Sequence, residues 1–193
     1  DVRFSVASFD DFAVGSYGSY GDVPFRLVQS ITPDVATTQA AVNTRRASGG
    51  ADAPESQVEA LYQVATGAGH GGFVPPRPSC GTGIGYPCFR PGATPIVLLF
   101  TDADFHNGPG GAYSYSGISP APHTYSQAVS ALNAIGAKVL GLMSGAPARD
   151  DLIAIARDTG ALASDGSPIV FDIGSDGSSL GPDVVRAVQT LCR

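Results

Sequence analysis

The sequence has 193 residues, a length that suits one domain with a full hydrophobic core. Apolar residues make up 43% of the chain and charged residues only 15%, which is typical of a globular protein with few surface charges. The formal net charge of −6 argues against a nucleic-acid partner, because phosphates are neutralised by basic surfaces. No apolar run in this segment approaches the length of a membrane span.

The first part of the chain predicts two strands followed by two helices. Alternation favours a strand over Val2–Phe9, and Phe25–Ile31 is predicted to be a short edge strand. Thr32-Pro33-Asp34 is typical of a helix start, and this helix is expected to run to about Arg46. A second helix is predicted to begin at Asp52–Glu55, because apolar residues follow from position 58 at the spacing of one buried face.

The most informative stretch is Ile96–Phe100, an unbroken apolar run that ends at Thr101 and Asp102. A short run of this kind is typical of a strand buried on both faces, so we expect it at the centre of a parallel sheet. Ligands of open α/β sheets bind just past the carboxyl ends of the strands. Asp102 is therefore a candidate functional residue, and the alternative is that it caps the next turn.

Helices and strands are predicted to alternate in the second half of the chain. Helices are expected over Thr124–Ile135, Arg149–Thr159 and Pro182–Leu191, and strands over Lys138–Met143 and Ile169–Asp172. Strands that alternate with helices of about ten residues indicate right-handed βαβ units. The predicted fold class is therefore α/β, with a doubly wound, mostly parallel sheet and helices on both faces.

Two cysteines, Cys80 and Cys88, lie in one loop rich in glycine and proline. No second Cys/His pair follows at zinc-site spacing, so a disulfide is favoured over a pair of metal ligands. Such a bond would tie down a loop that is long for a compact domain. In an exported chain Cys192 is then an odd cysteine, which suggests a partner outside this segment.

The loop over residues 10–24 is rich in Gly, Ser and Tyr, a composition found in recognition loops. Its candidate ligand-binding residues are Asp10, Asp11, Tyr17 and Tyr20. Tyrosine offers rigid contact area, and the small polar residues offer adaptable hydrogen bonds. An ordinary surface loop is the alternative interpretation.

Three acids, Asp52, Glu55 and Asp102, are predicted to converge at one edge of the sheet. Carboxylates this close repel one another unless a positive charge lies between them. Mg²⁺ and Ca²⁺ take carboxylate, carbonyl and water oxygens, so a hard divalent cation suits the set. The alternative is that the two acids near residue 52 only favour the dipole at a helix N-terminus.

As a whole, the sequence resembles the von Willebrand factor A family, and within it the A-like (I-like) domain of integrin β subunits. Four stretches carry this resemblance in the family's order: Val2–Phe9 with Asp10-Asp11-Phe12, Pro24-Phe25 with Thr32, Asp52-Ala53-Pro54-Glu55, and Leu99–Ala103 with His106. The third is the most specific, with Ser56 in place of the family's Gly. The resemblance implies a single domain over residues 1–193. The use of Lys138 as the only lysine favours a bacterial relative over an animal integrin.

The resemblance implies a non-catalytic adhesion module. Glu55 and Asp102 would contribute to a metal-ion-dependent adhesion site, where Mg²⁺ recognises an acidic residue of a protein partner. Asp52, the Pro54 carbonyl and Glu55 would form an adjacent site for Ca²⁺, although Gly50 stands where the family has Asn. The loop over residues 10–24 takes the place of the family's specificity-determining loop. An extracellular or cell-surface location follows, with neighbouring domains of the same chain as further partners.

The family's first strand is not present in this segment. The family's central strand, with its Asp-x-Ser-x-Ser motif, would stand before Asp1. We therefore expect Val2–Phe9 and Ile96–Thr101 to share one sheet without being direct neighbours. Two alternatives to adhesion stay open: a metal-dependent phosphotransferase or hydrolase that uses Asp102 and Asp104, and a structural domain whose metal site has decayed.

Overall fold

The computed structural model describes residues 1–46 and 49–174, together with positions 181, 184, 185, 188 and 189. The elements of this part, in chain order, are β1 (Phe4–Ser8), β2 (Arg26–Thr32), α1 (Val35–Asn43), α2 (Gln57–Thr66), β3 (Ile96–Thr101), α3 (Tyr125–Ala134), β4 (Lys138–Met143), α4 (Arg149–Asp158) and β5 (Val170–Asp172). This order matches the predicted one. The predicted helix Pro182–Leu191 lies largely outside the described residues, and Cys192 lies wholly outside them.

The described strands form two separate sheets. β3, β4 and β5 form a parallel sheet in that order, and β1 pairs with β2 in an antiparallel sheet. The predicted α/β class is confirmed at this level. β1 and β3 are not direct neighbours, as expected, but the prediction that they share one sheet is wrong for the described residues, because no described strand lies between them.

The central strand of the parallel sheet is β4 and not β3. Five of the six β4 residues are buried. β3 forms an edge, where only Leu99 is buried and Phe100 is 44% exposed. The interpretation of Ile96–Phe100 as a strand covered on both faces is therefore wrong within the described structure. An apolar run indicates a strand, but its neighbours in the sheet depend on pairings with distant parts of the chain.

The largest core cluster joins the parallel sheet to three helices, as α2 packs against α3 and α4 packs against β4. Close approach of α4 requires a glycine at position 141 of β4, because an added Cβ would lie 2.8 Å from the Leu152 Cβ. The fully buried members of this cluster are Phe105, Leu132, Ala137, Val139, Ala148, Leu152 and Ile155.

Local signals placed several element boundaries correctly. Thr124 caps α3 in a reciprocal pair of hydrogen bonds with Gln127. α1 begins later than predicted, because Asp34 and not Thr32 is its N-cap and accepts a hydrogen bond from the Ala36 N–H.

The predicted disulfide between Cys80 and Cys88 is confirmed. None of the described helices is long and apolar enough to cross a membrane.

Candidate metal-binding site

The chain before α2 runs beside the chain that follows β3. The Glu55 N–H donates to the Asp104 carbonyl at 3.0 Å, and the Glu55 carbonyl accepts from the His106 N–H at 2.8 Å. These bonds form an isolated parallel bridge, so α2 begins only at Gln57. The prediction that Asp52 and Glu55 stand in the first turn of a helix is therefore wrong. Helix capping does not account for these acids.

Two side chains hold the turn after β3. The Gln57 Nε2 donates to the Thr101 hydroxyl at 2.8 Å and to the Ala103 carbonyl at 3.0 Å. Asp151 of α4 accepts a hydrogen bond from the Phe105 N–H at 2.8 Å. The start of α2 and the start of α4 therefore position the acids that follow β3. Neither Gln57 nor Asp151 was identified from the sequence.

Glu55, Asp102 and Asp104 line one cleft with a volume of about 300 Å³. Ala53, Ala103 and Pro147 complete its described lining. The structure thus brings Glu55 and Asp102 together, as the sequence predicts, but the predicted third acid, Asp52, is not among the lining residues and Asp104 stands there instead. Pro54 is buried and does not line this cleft.

Glu55 has little support for a negative charge. Its Oε2 is buried and has no hydrogen-bond partner. Burial and the charges of Asp11, Asp10, Asp22 and Asp52 raise the pKa of Glu55 to about 8. A carboxylate surrounded by other carboxylates is stabilised when a cation binds beside it. The chemistry of these groups therefore fits a hard divalent cation.

Asp11, Asp52 and His106 form a neighbouring group that we call the acidic cluster. His106 Nε2 lies 3.2 Å from Asp52 Oδ2 and 3.3 Å from Asp11 Oδ2. His106 Nδ1 lies 2.5 Å from the Tyr113 carbonyl oxygen, which only accepts, so Nδ1 carries a hydrogen. The remaining nitrogen of His106 therefore faces two carboxylates.

Asp11 is fully buried within this cluster. Its Oδ1 accepts hydrogen bonds from the Phe12 N–H and the Tyr115 hydroxyl, whereas its Oδ2 has no hydrogen bond. Burial raises the pKa of Asp11 to about 6, against the opposing effect of the Tyr115 hydrogen bond. The acidic cluster therefore holds more negative charge than its donors balance.

The candidate loop residues lie in different environments. Tyr20 is fully exposed. Tyr17 is half-buried, with its ring edge-on to His106 at a centroid separation of 5.2 Å. Asp10 is half-buried, and its carbonyl accepts a hydrogen bond from the Ser56 hydroxyl. Tyr20 is therefore the most accessible of the four to a partner, and the buried Asp11 is the least accessible.

Sequence analysis missed a further group, Glu59, His70 and His123, which we call the two-histidine cluster. Glu59 lies in α2 and is buried, and the two histidines come from loops that follow α2 and precede α3. The histidines are 11 and 64 positions from Glu59, a spacing that matches no metal-binding motif. The only local signal was an acid at position 59 within the buried helix face.

The cleft contains three carboxylate residues and lies just past the carboxyl end of β3. None of the six described residues that line it is Lys or Arg. The chain matches no protein-family model and no curated protein. Function is therefore inferred from the chemistry of the cleft and its surroundings.

Proposed function

We propose that this chain is a non-catalytic, metal-dependent ligand-binding module of the von Willebrand factor A type, similar to the A-like domain of integrin β subunits. Glu55 and Asp102 contribute ligands to a bound Mg²⁺, and the cation accepts a carboxylate from a protein partner. The observation that carries the proposal is Glu55, which lines a cleft with Asp102 and Asp104 and whose buried Oε2 has no hydrogen-bond partner.

The donor set supports magnesium over a transition metal at this cleft. All three titratable groups are carboxylates, and Mg²⁺ prefers oxygen ligands while it retains several waters. A retained water leaves a position that a partner's carboxylate can occupy. Burial and the charges of the neighbouring acids both disfavour a charged Glu55, and a bound Mg²⁺ would offset both effects.

A calcium ion is proposed beside this position, with Asp52, the Pro54 carbonyl and Glu55 as its ligands. Asp11 supports this site, because its buried Oδ2 is an oxygen donor without a hydrogen bond. Gly50 adds no side-chain ligand, and a Cβ at this position would lie 2.8 Å from Glu55 Oε1. The ligands therefore come from the segment 52–55 and from Asp11.

An exposed aromatic ring and a disulfide suit a recognition role outside the cell. Tyr20 presents an exposed aromatic ring on the loop over residues 10–24. The disulfide between Cys80 and Cys88 is typical of exported proteins, because the cytosol keeps thiols reduced. We therefore propose an extracellular or cell-surface location and a protein ligand.

A phosphotransferase that uses Asp102 and Asp104 is the second candidate, because both acids line the cleft. Phosphoryl transfer needs positive charge around the transferred group. The only lysine of the chain, Lys138, begins β4 at the opposite end of the strand and donates to the Thr159 carbonyl. Turnover of p-nitrophenyl phosphate in Mg²⁺, lost in Asp102→Asn, would favour this candidate over adhesion.

The proposal is tested with Mg²⁺ as the probe. Thermal melts of the parent chain, Glu55→Ala and Asp102→Ala are recorded in EDTA and in millimolar Mg²⁺. Asp165→Ala is the matched control, because this exposed acid precedes β5 at the other end of the sheet. We expect Mg²⁺ to stabilise the parent and the control and to have a smaller effect on both cleft variants.

In EDTA, Glu55→Ala should be as stable as the parent or more stable, because it removes a carboxylate that its neighbours repel. A Mg²⁺ effect that is undiminished in both variants would contradict the proposal. A parent chain whose melting is the same in Mg²⁺ and in EDTA would favour a structural domain with a decayed metal site.

A further inference from the structure

Three segments meet at Glu59. His123 Nδ1 lies 2.9 Å from Glu59 Oε2 and 3.1 Å from Oε1, and His70 Nδ1 lies 3.7 Å from Oε1. One donor atom of each side chain lies within 4.8 Å of the other two. The side chains of Glu59 and His70 are 0% and 3% exposed, and that of His123 is 19% exposed. The cluster is thus enclosed, with one partly open side.

The hydrogen bond of His70 leaves its Nδ1 without a hydrogen and 3.7 Å from a carboxylate oxygen of Glu59. His70 Nε2 lies 3.0 Å from the Pro120 carbonyl oxygen, which only accepts, so Nε2 carries the hydrogen. In the neutral ring Nδ1 is then an acceptor, and it faces Glu59 Oε1, which is also an acceptor. Two acceptors face each other favourably only when a proton or a metal ion lies between them.

The hydrogen bond from His70 to the Pro120 carbonyl also orients the His70 ring. Histidines that bind metals usually donate their other ring N–H to a carbonyl or carboxylate, which sets the tautomer and the ring orientation. The bond from His70 to Pro120 is of this kind. His123 is oriented by Tyr62, whose ring stacks on it at a centroid separation of 3.5 Å and an angle of 13°. Both imidazoles are thus held in place before any ion binds.

We propose that Glu59, His70 and His123 form a site for a divalent transition metal of the zinc class. Tetrahedral zinc binds His nitrogen and carboxylate oxygen at about 2.0–2.1 Å, which places neighbouring ligand atoms about 3.3 Å apart. The separations of 3.1 and 3.7 Å lie on either side of that value. The ion takes the place of the hydrogen that His123 Nδ1 donates to Glu59 in the metal-free protein, and in the bound state His123 Nε2 carries that hydrogen. Two imidazoles and one carboxylate favour zinc over Mg²⁺ or Ca²⁺, which prefer oxygen ligands.

Three protein ligands leave one tetrahedral position for water or for a ligand that enters beside His123. The bound ion joins α2 to the segments that contain residues 70 and 123. The proposal is independent of the Mg²⁺ cleft, because it uses none of Glu55, Asp102 and Asp104. The two can therefore fail separately.

The test uses the chain's three histidines. Metal-free protein is titrated with Zn²⁺ by calorimetry and with Co²⁺, whose visible spectrum reports tetrahedral coordination. The parent is compared with His70→Gln, His123→Gln and the matched control His106→Gln, which lies in the acidic cluster and is no part of the two-histidine cluster. Each variant's circular dichroism and melting in EDTA establish that it folds, and His123→Gln is the safer variant because His123 is the most exposed of the three residues.

We expect the parent to bind Zn²⁺ with a tetrahedral Co²⁺ spectrum and the control to keep this site. Affinity should fall at least 100-fold in His70→Gln and His123→Gln, because loss of mere orienting partners already costs about 10–100-fold. Parent protein that binds no Zn²⁺ would overturn the proposal and leave a plain hydrogen-bonded pair. Loss of binding in His106→Gln alone would also overturn it.

Discussion

The acidic cluster and the two-histidine cluster both combine carboxylates with imidazoles, and the ring of Phe12 connects their surroundings. This fully buried ring contacts His70 edge-on at 5.4 Å and Tyr115 at 5.1 Å. A tyrosine stacks on a histidine in each cluster: Tyr115 on His106 and Tyr62 on His123. The arrangements of rings are therefore similar, and the clusters differ in how their carboxylates are satisfied.

The difference lies in the hydrogen-bond donors that surround each carboxylate. Glu59 accepts hydrogen bonds from the His123 ring, from Gln63 and from the His123 backbone N–H. Burial alone would raise the pKa of Glu59, but these bonds outweigh it and hold the pKa below its usual value. Asp11 has an oxygen without a partner, and its pKa is raised. Similar burial therefore leaves the pKa of Glu59 lowered and the pKa of Asp11 raised, because the two carboxylates have different numbers of hydrogen-bond donors nearby.

The largest expected effect is at Glu59. Glu59→Ala should lower the free energy of unfolding by about 2–6 kcal/mol, because it leaves two donors, His123 and Gln63, without their buried acceptor, at about 1–3 kcal/mol each. Urea unfolding in EDTA measures this without a metal contribution. Glu59→Gln keeps one acceptor oxygen and should lose less. A loss below about 1 kcal/mol in the Ala variant, as for an exposed pair, would contradict the comparison.

Tyr115→Phe tests the donor that Asp11 does have. Removing the hydroxyl takes a hydrogen bond from a buried charge, which should cost about 1.5–3 kcal/mol. Chemical denaturation at neutral pH in EDTA gives the value. Tyr113→Phe is the control, because Tyr113 is exposed and should change stability by less than about 0.5 kcal/mol. Equal effects in the two variants would show that the hydroxyl of Tyr115 has no special role.

Asp11→Asn should act in the opposite direction from Glu59→Ala. It removes a charge that burial disfavours while it keeps an acceptor for the Phe12 N–H, so in EDTA stability should rise by about 1 kcal/mol, the scale of one pKa unit. Asp52→Asn should give a smaller gain, because Asp52 is exposed. Destabilisation by Asp11→Asn under these conditions would mean that the acidic cluster is balanced in the metal-free protein.

The smallest expected effect concerns the stacked rings. Tyr62→Leu keeps an apolar side chain in α2 but loses the contact with the His123 ring, and the loss should be about 0.5–1 kcal/mol. Thermal melts in EDTA, with replicate error below this difference, measure it. No change would show that hydrogen bonds to Glu59 alone position His123.

The sequence by itself determined the elements whose signals are local. β4 was predicted at its observed bounds, and α3 and α4 within a residue or two, because apolar spacing and caps such as Thr124 act over a few neighbouring positions. The disulfide was predicted from composition and spacing. The convergence of Glu55 and Asp102 on one cleft, though not that of Asp52, was predicted from the rule that ligands bind at the carboxyl ends of parallel strands.

Only the tertiary structure decided which distant segments meet. The bridge between Glu55 and Phe105 moved the start of α2 to Gln57, because it binds both backbone groups of Glu55 before the helix can begin. Both clusters join residues more than 50 positions apart, such as Asp52 with His106 and Glu59 with His123. Contacts of this kind depend on packing of the whole chain, so no local period or spacing encodes them.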